Sequence, residues 1–173
     1  MEKGYIIALT ATFSLMSLFA MGQPKQSVLH LISDRAKGEY GYANAKGDTV
    51  IPLGKYMDCF TQRFVDFAIV RSKDKGFIGI DRNENVLFHV WIFDNGPDYP
   101  CNGLFRIVVD GKIGYANLHG KIVIPPQYDC AYPFEHGKAQ VGVGCKLERH
   151  DEHGYWSGGE WQVIDKKGNI VKS

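Results

Sequence analysis

Gly114-Tyr115-Ala116-Asn117-Leu118-His119-Gly120-Lys121-Ile122-Val123-Ile124-Pro125-Pro126-Gln127-Tyr128-Asp129 decides the fold of this chain, because most of it is written again elsewhere. Upstream stands Gly41-Tyr42-Ala43-Asn44, followed by Gly47-Asp48-Thr49-Val50-Ile51-Pro52. A weaker copy, Gly79-Ile80-Asp81 with Asn85-Val86-Leu87, lies between them, and Gln162-Val163-Ile164-Asp165-Lys166-Lys167-Gly168-Asn169-Ile170-Val171 supplies a fourth. The first residues of these blocks lie 38, 35 and 48 positions apart. A period in that range marks a repeat architecture, in which each unit stacks on its neighbours to share a core.

The unit reads as β structure. Leu104 to Val109 and Lys112 to Asn117 flank Asp110-Gly111, and Asp-Gly between two such runs signals a type I′ hairpin, whose central residues both need positive φ. The next reversal, Asn117-Leu118-His119-Gly120, is matched by Asn44-Ala45-Lys46-Gly47 and Asp165-Lys166-Lys167-Gly168. Asn or Asp bonds the backbone two residues on, and Gly accepts the left-handed conformation that ends such a turn. The β-branched run Lys121 to Ile124 stops at Pro125-Pro126, which donate no hydrogen bond to a ladder. An aromatic loop through Tyr128, Tyr132 and Phe134 leads to the next extended segment, Gly137 to Val141. Three short strands bury too little apolar surface alone to offset roughly 1 to 2 kcal/mol of backbone entropy per ordered residue. The expected fold is therefore all-β, with tandem antiparallel hairpins or meanders stacked as an open twisted array. Four units, one of them truncated, favour the open form over a closed propeller-like ring.

The N-terminal residues differ from the rest. Lys3 precedes an apolar run from Tyr5 to Ala20, and Ala20-Met21-Gly22 places small residues before Gln23, the layout of a cleaved export signal over 1–22. The run falls short of the roughly 20 apolar residues that a membrane span needs. The mature chain would then hold 151 residues, enough for one domain. A capping strand is expected in 23–36, repeats over about 37–72, 73–109, 110–145 and 160–173, and an insertion over 146–159. The net charge of +1 and the absence of any basic cluster exclude a nucleic-acid binder that works by neutralising phosphates. Export to the periplasm or beyond permits disulfides among Cys59, Cys101, Cys130 and Cys145. Three connectivities are open. Cys59 with Cys130 is the least favourable, since a whole unit separates them, and buried free thiols are an equal alternative.

The blocks resemble the WG repeat family. In that family each unit is headed by Trp-Gly and continues through a Gly-Lys-x-Val-Ile-Pro-Pro-x-Tyr-Asp pattern. Here the heading pairs are Tyr40-Gly41, Ile78-Gly79, Ile113-Gly114 and Trp161-Gln162, and Gly120 to Asp129 follows the pattern closely. In the second unit Glu84 stands where the turn glycine belongs and His89 where the proline belongs. The resemblance spans about Lys37 to Val171. It implies an all-β repeat scaffold of bacterial type and carries over no catalytic residues.

Function is less legible. The irregular segment Lys146 to Glu160 reads as a projecting loop, where repeat scaffolds often place binding. Tyr155 and Trp156 are its candidate ligand contacts, as an exposed aromatic pair for a protein or glycan partner. Trp161 occupies the repeat's own Trp position and is expected in the core, and Tyr56, Tyr99, Tyr128 and Phe134 are expected to pack between units. His150-Asp151-Glu152-His153 offers two imidazoles, yet a metal site needs three or four convergent ligands on a framework that fixes their spacing. No metal, cofactor or catalytic set is assigned, and Cys101 and Cys145 lack a neighbouring base. Three readings result. The first is a non-enzymatic exported scaffold that binds a partner, the second a module that assembles with itself through an open strand edge, and the third a metal-dependent enzyme using the His150 and His153 loop.

Overall fold

The computed structural model describes residues 27–150 and 153–172. The export signal assigned to 1–22 lies outside them. The strands are β1 (Leu29–Asp34), β2 (Glu39–Ala43), β3 (Thr49–Tyr56), β4 (Asp58–Cys59), β5 (Arg63–Phe64), β6 (Phe67–Ser72), β7 (Gly76–Asp81) and β8 (Val86–Val90). They continue with β9 (Ile92–Phe93), β10 (Gly96–Pro97), β11 (Leu104–Val109), β12 (Lys112–Asn117), β13 (Ile122–Tyr128), β14 (Cys130–Ala131), β15 (Lys138–His150) and β16 (His153–Asp165). Three open sheets, ordered β3-β2-β1-β5, β13-β12-β11-β8-β7-β6-β4 and β14-β15-β16, and the small β9-β10 ribbon account for them. The all-β open array expected from the repeats is what forms. The repeating body is a three-stranded meander: β1-β2-β3, β6-β7-β8, β11-β12-β13, and β15-β16 completed only by a bridge from Ile164 to Ile170. The segment from Leu29, expected as a cap, is the first strand of the first meander, paired with β2 from His30↔Ala43 to Asp34↔Glu39.

One turn recurs in all four units, and its chemistry is the one the sequence spells. The side-chain oxygens of Asn44, Asp81, Asn117 and Asp165 each accept two backbone N–H bonds, from the residues two and four positions on, at 2.8 to 3.1 Å. The fourth turn residue is left-handed throughout: Gly47 at φ 90°, Glu84 at 62°, Gly120 at 72° and Gly168 at 85°. Glu84 takes this conformation at a cost of roughly 1 to 2 kcal/mol. Its carboxylate accepts from Lys55 Nζ at 2.7 Å and from Tyr56 OH at 2.8 Å, which ties the turn of unit two to the third strand of unit one. The type I′ turn expected at Asp110-Gly111 is present, with φ of 50° and 76°, and Asn102-Gly103 and His136-Gly137 repeat its backbone.

Gly41 and Gly114 have a job that register makes visible. Opposite β2, pairing passes from Tyr40↔Tyr56 to Tyr42↔Ile51, and opposite β12 from Ile113↔Tyr128 to Tyr115↔Ile124. The third strand therefore bulges outward at Pro52 and at Pro125-Pro126, and its backbone passes directly over the glycine. A Cβ on Gly41 would stand 2.5 Å from Ile51 O, and one on Gly114 2.5 Å from Ile124 O and 2.6 Å from Pro126 N. Unit two departs from the alignment drawn from its sequence. Ile80↔Val86 matches Ala43↔Thr49 and Ala116↔Ile122, so Gly79 occupies the position of Tyr42 and Tyr115, not that of Gly41 and Gly114. The Phe67 and Phe88 rings fill the space its missing side chain leaves, each 2.6 Å from where a Cβ would be. Ile78 is tolerated at the glycine position because β8 follows β7 without the wide bulge, pairing Ile78↔His89 and then Gly79↔Phe88.

Each core lies between successive units. One cluster joins Leu29, Tyr42, Ile51 and Phe64 to Val70 and Ile80. A second gathers Phe67, Phe88, Phe105 and Ile107, and a third joins Tyr115, Ile124, Tyr128 and Phe134 to Val141 and Ile164. Tyr42 and Tyr115 close this pattern, donating to Thr61 O at 2.9 Å and Tyr132 O at 2.7 Å. Tyr56, Tyr128 and Phe134 are buried as expected, whereas Tyr99 is exposed against Phe93 on the short ribbon. At the junction of units two and three, Arg106 and Asp98 form a buried pair. Arg106 Nη2 and Nε donate to the carboxylate at 2.6 and 3.0 Å, and Nη1 donates to Ala131 O. The guanidinium also lies 5.6 Å from the Trp91 ring centre.

Candidate binding surface

The segment from Lys146 to Glu160, expected as a loop, is strand over its described residues, 146–150 and 153–160. β15 and β16 pair without a change of register from Lys138↔Asp165 to His150↔His153. The polar and glycine-rich composition that suggested a loop belongs to an arm of which the outer part, beyond Lys146 and Ser157, is paired only with itself among the described residues. Gly144, Gly158 and Gly159 all have positive φ, between 69° and 74°, and a Cβ on Gly159 would meet Cys145 N at 2.6 Å. These glycines let the two strands bend at mid-length.

Two tethers hold the arm at that bend. Cys130 and Cys145 form a disulfide, with alpha carbons 6.1 Å apart, joining β14 to β15. Beside it Gly144 N donates to Asp129 Oδ2 at 2.8 Å, and Lys112 Nζ pairs with the same carboxylate, which holds the Asp129 carboxyl below the usual range. Of the three connectivities the sequence left open, the Cys130 to Cys145 bond is made, with Cys59 and Cys101 free. Burial pushes the Cys59 thiol up to about 11, and burial raises that of Cys101 as well. Neither is a thiolate at neutral pH.

Tyr155 and Trp156 do not form a pair. They are consecutive in a strand, so their side chains leave opposite faces. Tyr155 is exposed and donates to Glu148 Oε2 at 3.0 Å, a bond that raises the pKa of its phenol. Trp156 is half-buried, packs on the third core and lies 5.4 Å from the Trp91 ring. The aromatic pair that does form is Tyr132 with Trp161, ring centres 5.6 Å apart and planes at 36°. Trp161, expected in the core, is 38% exposed and Tyr132 42%. Trp161 lies over Gly142, whose Cβ would stand 3.1 Å from the indole, and its Nε1 donates to Gly158 O at 2.8 Å. Period-two alternation through 155–163 was the available signal. It puts Trp161 and Val163 on one face, and it went unused once the segment was taken for a loop.

Beside this pair is a cleft of about 470 Å³ lined by Tyr132, Glu135, His136, Lys138, Gln140 and Val163. A second recess of about 430 Å³ lies between units, walled mainly by Phe60, Val65, Tyr99 and Leu118. His150 and His153 face each other in register as the last described pair of the arm.

A family model described as the WG containing repeat matches residues 113–144. Those residues are similar to a WG-type repeat. No curated protein and no solved structure gives a match. The matched span opens on Ile113-Gly114 and runs through the bulge at Pro125-Pro126, the β14 strand and the inner half of β15. The glycine of the WG-type repeat is thus explained here by backbone passing over its Cα. Gln162 replaces it in unit four, where no third strand crosses.

Proposed function

We propose that this protein is an exported, non-enzymatic β-repeat scaffold of bacterial type that binds a protein or glycan partner in the periplasm or outside the cell. The surface carried by β15 and β16 is the binding face. The observation that carries this reading is the arm itself. It is lengthened beyond its unit, it is braced by a disulfide and a carboxylate, and it displays Tyr155 and Trp161 to solvent on one face and Val143 and Leu147 on the other. Apolar and aromatic side chains held out on a braced hairpin are what a partner-binding surface requires. The Cys130 to Cys145 bond is in keeping with an oxidising compartment and so with the export signal. Self-assembly through the open edge of the terminal strand is the second reading, since β16 is an edge of its sheet and carries no proline, whereas the edges β3 and β13 are bulged and carry Pro52, Pro125 and Pro126, features that blunt strand addition.

The test is a pull-down from envelope and medium extracts with the full chain, beside a variant in which 146–159 is replaced by a short Gly-Ser turn. A partner captured by the full chain and lost from the variant supports the proposal. A partner retained by both moves binding to the inner part of β15 and β16 or to the stacked units. Concentration-dependent sedimentation with no captured partner would favour self-assembly.

A further inference from the structure

We infer that the cleft walled by Tyr132 and Val163 is a saccharide-binding site, taking one or two pyranose rings of a neutral glycan against the Tyr132 ring that Trp161 backs. This rests on the partner-binding reading above and names the ligand class and the residues.

The platform is built before any ligand arrives. Gly142 leaves room for the indole to lie across β15, the Nε1 bond to Gly158 O fixes its rotation, and Tyr132 stacks beside it. A rigid aromatic face loses little entropy on binding. Because the indole N–H is already bonded to Gly158 O, the polar group the pair offers a ligand besides its ring faces is the Tyr132 hydroxyl. Those faces are electronegative, and the C–H bonds on the flat side of a sugar ring are weakly positive, so the two surfaces attract beyond simple burial.

The polar groups beside the platform match the rest of such a ligand. Glu135, His136, Lys138 and Gln140 are exposed, line the cleft, and their side chains make no hydrogen bond or ion pair among the described residues. They comprise an acceptor, donors and an amide that is both. A sugar hydroxyl donates and accepts at once, and a ring of hydroxyls around an apolar face fits this set. One carboxylate and one ammonium leave no net charge to select an anion. The Glu135 to Lys138 bridge, closed by His136 at φ 48° and Gly137 at 77°, holds three of these residues on a tight turn, and Asn102 Oδ1 accepts from Gly137 N at 2.7 Å to anchor it. The cleft volume of about 470 Å³ lies in the range of small-molecule sites.

The experiment is a titration of the full chain, disulfide intact, with neutral tetrasaccharides of β-linked glucose, β-linked N-acetylglucosamine and α-linked glucose. Calorimetry and tryptophan fluorescence are the readouts. At least one probe should bind, with Trp161→Ala and Tyr132→Ala each weakening it about tenfold, Gln140→Ala weakening it severalfold, and Met57→Ala, exposed on unit one, leaving it unchanged. Near-UV circular dichroism establishes that each variant is folded, and Gln140→Ala, a surface change, remains decisive if Trp161→Ala is not. Failure of every probe to bind, or binding indifferent to both Trp161→Ala and Gln140→Ala, overturns the inference. A proline-rich peptide that binds with the same variant dependence while no saccharide does also overturns it. None of these outcomes touches the pull-down, where a protein partner can still be captured by the arm.

Discussion

Gly114→Ala is the sharpest perturbation of this fold, because the atoms in its way are all backbone. The added carbon would stand 2.5 Å from Ile124 O, 2.6 Å from Pro126 N and 2.9 Å from Pro125 C, well inside the roughly 3.5 to 4.0 Å at which such atoms attract. No side chain can rotate aside, so the bulged strand must lift. Lifting it strains the pairing of Ile113↔Tyr128 and Tyr115↔Ile124 and loosens Tyr115, Ile124 and Tyr128, all buried in the third core. Overpacking costs about 1 to 3 kcal/mol on its own, and the damaged ladder brings the expected loss to about 4 kcal/mol. Gly111→Ala is the control. It has a similar exchange of atoms and a positive φ of 76°, but open space around it, so about 1 kcal/mol is expected. Urea unfolding of both variants measures the difference, expected to be at least about 2 kcal/mol, with Gly41→Ala resembling Gly114→Ala and Gln162→Ala near neutral. Equal losses for Gly114→Ala and Gly111→Ala would refute the claim that strand crossing dictates this glycine.

Other expectations follow from single contacts. Arg106→Ala leaves the Asp98 carboxylate buried without its partner and should cost about 3 to 5 kcal/mol in urea unfolding. The carboxyls of Asp81 and Asp165 are held below the usual range, first by the side-chain bond from Asn85 or Asn169, then by backbone N–H donors. A depressed folded pKa gives stability that is present above the unfolded value of about 3.9 and lost as pH falls through the folded one. The double variant Asp81→Asn, Asp165→Asn copies the turns at Asn44 and Asn117, and should flatten the acid limb of a stability-against-pH curve. Reducing the Cys130 to Cys145 bond, which spans 15 residues, should lower stability by about 3 kcal/mol. In the native protein at neutral pH, alkylation should reach the half-exposed Cys101 before the buried Cys59.

The sequence was legible wherever a residue's role is local. Asn117-Leu118-His119-Gly120 and Asp110-Gly111 state their turns outright, because side-chain bonding and positive φ are decided within four residues. Ile122 to Ile124 likewise states a strand, but the prolines expected to end it lie inside β13, which bulges there and runs on to Tyr128, because the bulge leaves their missing N–H groups out of the ladder. Residues whose role is set by distant neighbours were misjudged. Gly79 looks like Gly114, yet its environment is the Phe67 and Phe88 rings and not a crossing strand. Trp161 stands in the place of a core residue, but among the described residues the return segment bridges β16 only at Ile164, and the indole lies on Tyr132. The arm carries the composition of a loop because, among the described residues, its outer half is paired only with itself and Trp156 is the side chain there that packs on the core. Reading it as a loop joined Tyr155 and Trp156 across two faces of one strand. Which cysteines pair depends on where β14 meets β15, a tertiary fact with no local mark.

The account's central claim is that the binding face is on β15 and β16. The most direct test is amide hydrogen exchange of the full chain, alone and in complex with its captured partner. Protection gained in β15, β16 and 130–138, with β3, β8 and β13 unchanged, is the predicted result. Protection gained on β3, β8 or β13 with the arm unaffected would contradict it.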